Sequence, residues 1–144
     1  MNIEQLREYC ISKKGVTEEF PFDFDTLVFK VMGKMFALAP LSRWEQGSET
    51  INLKCDPERA LELRDEYESI NAGYHMSKKH WITVEYANLP PQFVKDLIDD
   101  SFELVVNSMT KKSRKEFWEG KFMKIYTHKN NESQSNKRYN KRKY

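Results

Sequence analysis

Two cysteines, five glycines and five prolines are all that 144 residues hold of the types that staple or punctuate a chain. Cys10 and Cys55 are far apart and form no CxxC pair. That argues against a disulfide scaffold and points to two reduced thiols in a cytoplasmic protein. A zinc site from Cys55, His75 and His80 lacks the tight paired spacing such sites use, and no metal is expected. With so little glycine and no glycine-rich phosphate loop, the Rossmann and P-loop readings fall away, and no cofactor is expected. The chain has no 18-residue apolar run, so no membrane span is predicted. The opening MNIEQLREYC is charged where a secretion signal needs an apolar stretch, which again predicts a cytoplasmic location. No internal repeat is visible.

What is present is a polar chain with aromatics. Apolar residues make up 39%, aromatic residues 13% and charged residues 32%. The aromatic content is too high for a wholly disordered chain. The length suits one domain, which would bury about two-thirds of its unfolded surface. The net charge of +2 conceals a division. Residues 1–110 carry 12 Lys and Arg against 19 Asp and Glu, a net of −7, whereas residues 111–144 carry 12 against 3, a net of +9. An acidic domain followed by a basic extension is predicted, divided near residue 110.

Periodicity gives the element order. Ile3, Leu6 and Cys10 recur at helical spacing over residues 2–12, with Asn2 as N-cap and Gly15 as the stop. Val16–Asp25 reads as an extended acidic-aromatic loop; its four acids lack the alternate spacing and glycine turn of a calcium loop. Thr26–Val31 and Met35–Ala39 read as a hairpin around Met32-Gly33-Lys34. Leu27, Phe29 and Val31 then share one face, and Val28 and Lys30 the other. Pro40–Glu49 is a loop containing Arg43 and Trp44. Thr50–Lys54 is a third strand with Ile51 and Leu53 opposite Asn52 and Lys54.

Asp56-Pro57 starts a helix that runs to about Tyr67. Ser69–Gly73 breaks it, with Gly73 expected to supply a positive φ or a close backbone approach. Trp81–Tyr86 is a fourth strand. A last helix carries the stripe Val94, Leu97, Ile98, Ser101, Phe102 and Val105. The order α-β-β-β-α-β-α has links too short for an all-parallel sheet. An α+β sandwich is therefore predicted, with a largely antiparallel sheet and helices packed on one face. Beyond it, residues 113–126 are too apolar for a free linker, and residues 127–144 contain no aliphatic residue and read as disordered.

The densest polar-aromatic stretch is Tyr74-His75-Met76-Ser77-Lys78-Lys79-His80-Trp81. Together with Asn52-Leu53-Lys54-Cys55-Asp56-Pro57-Glu58, Leu63-Arg64 and Tyr67, it resembles the MmcQ/YjbR family of small bacterial proteins. The opening segments Gly15-Val16-Thr17-Glu18, Phe20-Pro21-Phe22 and Leu27-Val28-Phe29-Lys30-Val31 are similar as well. The likeness spans roughly residues 2 to 110 and leaves the basic extension out. Where the family has Pro-Gly before Tyr74, this chain has Ala72-Gly73, and Ser77 replaces a usual asparagine. Neither change removes a charge. The resemblance implies a frataxin-like fold and DNA binding through paired strand-and-turn wings. It assigns no catalytic residue.

Three functions compete on the residues. For nucleic-acid binding, Arg43, Lys54, His75, Lys78, Lys79, His80 and Trp81 bring cations for phosphates and rings for stacking. If the last strand pairs beside the third, Lys54 falls near Lys78–His80. Lys137, Arg138, Lys141, Arg142 and Lys143 of the tail would add attraction independent of sequence. The plainer reading makes Trp81 core, His75 and His80 structural, and Lys78-Lys79 a solvated turn. The second function is a small-molecule pocket or enzyme using His75, His80, Lys54 and Trp81, although no nucleophile is evident. The third is a protein-interaction module that opposes the acidic face to a basic partner or to the tail. A monomeric, non-enzymatic DNA-binding protein is the preferred expectation.

Overall fold

The structure is a computed structural model describing residues 1–42, 49–73 and 76–120. Arg43, Trp44, Tyr74, His75 and the tail from residue 121 lie outside the described residues. Helix α1 (Ile3–Ile11) opens on a capping box. Asn2 Oδ1 accepts from Gln5 N at 2.9 Å, and Gln5 Oε1 accepts from Asn2 N at 3.0 Å. Strands β1 (Val16–Glu19), β2 (Thr26–Val31), β3 (Lys34–Pro40) and β4 (Thr50–Lys54) follow. Then come α2 (Pro57–Glu66), β5 (Ile70–Ala72), β6 (Trp81–Glu85), a short 3-10 turn, α3 (Pro91–Asn107) and α4 (Lys111–Trp118).

Among the described residues the sheet has six strands in the order β1-β2-β3-β4-β6-β5, with every neighbouring pair antiparallel. Two of these strands correct the sequence reading. Val16–Glu19, expected as loop, is the edge strand β1, and the break at 69–73 contains the opposite edge strand β5. Both edges are short, and β1 ends in two glutamates. Such composition protects an edge from pairing with another chain, and it also hides the strand from propensity arguments. The hairpin turn is as expected: Met32 at φ 51 and Gly33 at φ 78 give the paired positive-φ geometry that suits tight hairpins.

The expected alternation holds on both central strands. Ile51 pairs with Val84 and Leu53 with Ile82 on one face; Thr50, Asn52 and Lys54 oppose Glu85, Thr83 and Trp81 on the other. The first face joins Leu27, Phe29, Val31, Ala37 and Ala39 in one buried cluster with residues of α1, α2 and α3. Burial of this kind contributes about 25 cal/mol per Å² of apolar surface. Where β3 and β4 share only two registered pairs, Ser101 of α3 fills the gap. Its hydroxyl accepts from Lys54 N at 2.9 Å and donates to the Phe36 carbonyl at 2.6 Å. Helix α4 is seated on the same layer, with Phe117 at 1% exposure and its ring 6.1 Å from that of Phe102.

Candidate functional site

The strand register brings together two segments that are distant in sequence. Lys54, the last residue of β4, lies directly opposite Trp81, the first residue of β6. One residue further, Cys55 N donates to the His80 carbonyl at 2.8 Å. The turn before β6 is closed on itself: the Ser77 carbonyl accepts from His80 N at 3.3 Å and from Trp81 N at 3.0 Å. Helix α2 supports it from the side, with Arg64 Nη1 donating to the Lys78 carbonyl at 3.3 Å. Lys78, Lys79 and His80 are therefore presented at a braced, exposed turn, beside half-buried Lys54 and Trp81.

Gly73 explains why this turn is tight. A Cβ there would come within 2.7 Å of Trp81 Cβ and 3.1 Å of the Trp81 carbonyl. Of the two roles foreseen for Gly73, the close backbone approach is the operative one, sealed by Gly73 N donating to the Trp81 carbonyl at 3.0 Å.

Four cations elsewhere in the domain are held by carboxylates. Arg7 pairs with Glu18, Lys13 with Asp99, Lys30 with Glu19 at 2.7 Å, and Arg59 with Asp100 at 2.8 Å. Among the described residues, no carboxylate pairs with Lys54, Lys78 or Lys79. Arg43, His75 and the tail cations Lys137, Arg138, Lys141, Arg142 and Lys143 fall outside the described residues.

The concavity on this sheet face has no described histidine in its lining. It is lined by Leu38, Thr50, Asn52 and Thr83 of the sheet, with Met35 and Met76 beside them. Sequence reasoning passed over Thr50, Asn52 and Thr83 because alternate polar residues on a strand ordinarily mark a solvated face. The available signal was their size: threonine and asparagine stand there in place of long charged chains.

Neither cysteine is poised as a nucleophile. Burial pushes both thiols up from their ordinary range, which keeps Cys10 and Cys55 protonated and unreactive near neutral pH. Among the described residues no group of three His, Cys, Asp or Glu is arranged to hold a metal ion. No helix among them is long and apolar enough to cross a membrane.

Fold and surface together define a small α+β domain with a braced basic turn and a sheet face opposite the one covered by α1, α2 and α3. The YjbR family model matches residues 11–104, and the chain belongs to that family. It is 42% identical over 97 residues to the uncharacterised protein YbdF of Escherichia coli O157:H7, covering 67% of this chain and 77% of that one. With the uncharacterised protein YjbR of Escherichia coli K12 the identity is 29% over 116 residues, covering 80% and 96%. The crystal structure of Deinococcus radiodurans protein DR2400, a DUF419 domain, superposes with a TM-score of 0.74 at 39% identity, covering 81% of this chain and 88% of that one. A Pseudomonas syringae protein superposes with a TM-score of 0.63 at 32% identity, covering 72% and 98%.

Proposed function

We propose that this chain is a non-enzymatic, cytoplasmic DNA-binding protein that acts as a monomer on a frataxin-like sandwich. Its contact surface is the β4 end and the turn before β6. The observation that carries the reading is the convergence of Lys54, Lys78 and Lys79, unpaired with carboxylates among the described residues, beside the Trp81 ring. In a domain of net charge −7, cations without internal partners keep their full attraction for phosphate. Trp81 offers a ring face for an unpaired base. The MmcQ/YjbR resemblance supports the same role.

Two full-length variants test this. Changing Lys54, Lys78 and Lys79 together to alanine is expected to weaken DNA binding severalfold and to flatten the salt dependence, which runs at a log–log slope of about −0.9 per phosphate contact. Neutralising Lys137, Arg138, Lys141, Arg142 and Lys143 is expected to lower affinity while leaving binding detectable at low salt. If the tail variant loses all binding while the triple variant loses none, the domain surface is not the site.

A further inference from the structure

The sheet face opposite α1, α2 and α3 borders a cavity of about 520 Å³. That lies within the range of small-molecule sites, roughly 300 to 1,000 Å³. Its floor is the polar row on β4 and β6. Thr83 Oγ1 donates to Asn52 Oδ1 at 2.5 Å, so the Asn52 amide N–H groups have no protein partner among the described residues. Thr50 is 5% exposed, and its hydroxyl has no hydrogen-bond partner among the described residues. A buried hydroxyl without a partner is destabilising until a bound group satisfies it.

The rest of the lining defines what that group is attached to. Met35, Met76 and Phe22 supply polarizable apolar walls, and thioethers make favourable contacts with aromatic rings. Asp23 and Asp25 stand at the rim, and among the described lining residues there is no lysine, arginine or histidine. Asp23 accepts from the backbone of Asp25 and Thr26, which holds its carboxyl below the ordinary range and keeps it ionised. Asp23 and Asp25 therefore repel an anionic head group at the mouth, and the described lining offers it no cation.

We infer that this cavity binds an uncharged, flat heteroaromatic ring of the nucleobase kind, seated on Thr50 and Asn52 and packed between Met35, Met76 and Phe22. The ring carries acceptors for the Asn52 amide and the Thr50 hydroxyl. The same chemistry comes from a free nucleoside or from an unpaired base of a single strand. In the second case the strand's phosphates fall toward Lys54, two residues from Asn52 on the same face. The inference goes beyond the proposed phosphate surface, because neither Lys54, Lys78 nor Lys79 lines the cavity.

The test is calorimetric titration of the full chain with adenosine, guanosine, cytidine and thymidine. Single-stranded oligonucleotides, intact or with one abasic position, are titrated alongside. At least one nucleoside, or the intact strand in preference to the abasic one, is expected to bind. Thr50→Val keeps the side-chain shape and removes the hydroxyl. It is expected to weaken that binding about tenfold while the free protein melts no lower than the parent. Lys54→Ala is expected to leave nucleoside binding unchanged. Nucleoside binding with no preference for the intact strand supports the free-ligand source; preference for the intact strand supports the unpaired base. Equal binding by Thr50→Val overturns the site, as does silence toward every nucleoside together with no preference for the intact strand. If salt-dependent duplex binding persists through that silence, only the cavity inference fails. If duplex binding is absent while a nucleoside binds, only the phosphate surface fails.

Discussion

On the helix side of the sheet, Phe29, Phe36, Ile51 and Leu53 are fully buried, and Ser101, the polar group buried among them, makes two hydrogen bonds to backbone. On the opposite side, Val28 and Leu38 are buried outside that cluster, and Thr50 is buried with its hydroxyl unmatched beside an open cavity. The two faces thus differ in what lies beside them: one is packed against α1, α2 and α3, with the Tyr86 hydroxyl unmatched inside it, and the described residues of the other border a cavity. The lesson is a division of labour: the face packed under the helices supplies stability, whereas the face where Thr50 has no described partner beside a cavity has room for something else to bind.

Paired truncations should break this symmetry most strongly. Phe36→Ala, on the covered face, is expected to cost about 3–5 kcal/mol, since both the transfer and the cavity contributions are lost. Leu38→Ala, on the open face, is expected to cost about 2 kcal/mol, because it borders a cavity that already exists and little new void is made. Chemical denaturation of both variants measures the gap, and equal losses would remove the distinction. Gly73→Ala should fall next, at roughly 2 kcal/mol, through the clash with Trp81. It is expected to loosen the turn that carries Lys78 and Lys79, so amide exchange at β5 should speed up while exchange in α1 is unchanged.

The smallest effect is in pH. On the covered side, burial holds the Tyr9 and Tyr86 hydroxyls and the Cys10 thiol well above their ordinary values of 10.0 and 9.0. Above pH 9 the unfolded chain therefore loses protons that the folded chain keeps. The stability contributed by these groups is intact below pH 9 and declines above it, by up to about 1.4 kcal/mol per pH unit for each group that ionises. Asp23, on the open side, has the opposite sign. Its lowered value makes its contribution present above 3.8 and lost as the pH falls below that. Because Asp23 is fully exposed, the acid-side effect should be slight, and melting curves between pH 3 and 11 should decline more on the alkaline limb.

Much of the fold was legible. The Asn2 cap, the Gly33 turn, the Asp56 cap and the stripe from Val94 to Val105 are local features, and local geometry follows from local sequence. The two edge strands were not legible, because Val16–Glu19 and Ile70–Ala72 are held by neighbours rather than by their own propensity. Ser101 sat correctly in the apolar stripe of α3, yet its role in bridging β3 and β4 depends on where those strands part. Asp99 and Asp100 of α3 meet Tyr9 of α1, Lys13 just beyond it and Arg59 of α2, long-range contacts that the helical period does not reveal.

The site divides in the same way. That Lys54 would meet Lys78–His80 followed from a conditional statement about pairing, and the register of β4 against β6 supplied the condition. The cavity at Thr50 had no sequence signature. Alternation assigns Thr50, Asn52 and Thr83 to a face, but it does not say whether water, helix or loop lies above that face.

By itself the sequence determined the first three helices, the Gly33 turn, the two faces of each central strand and the charge division between domain and tail. Each of these depends on residues within a few positions of one another or on simple composition. Only the tertiary structure decided which strands are neighbours, which cations are paired and that the Thr50 and Tyr86 hydroxyls are left unmatched among the described residues. Those are contacts across long loops, set by packing of the whole core, and no local period encodes them.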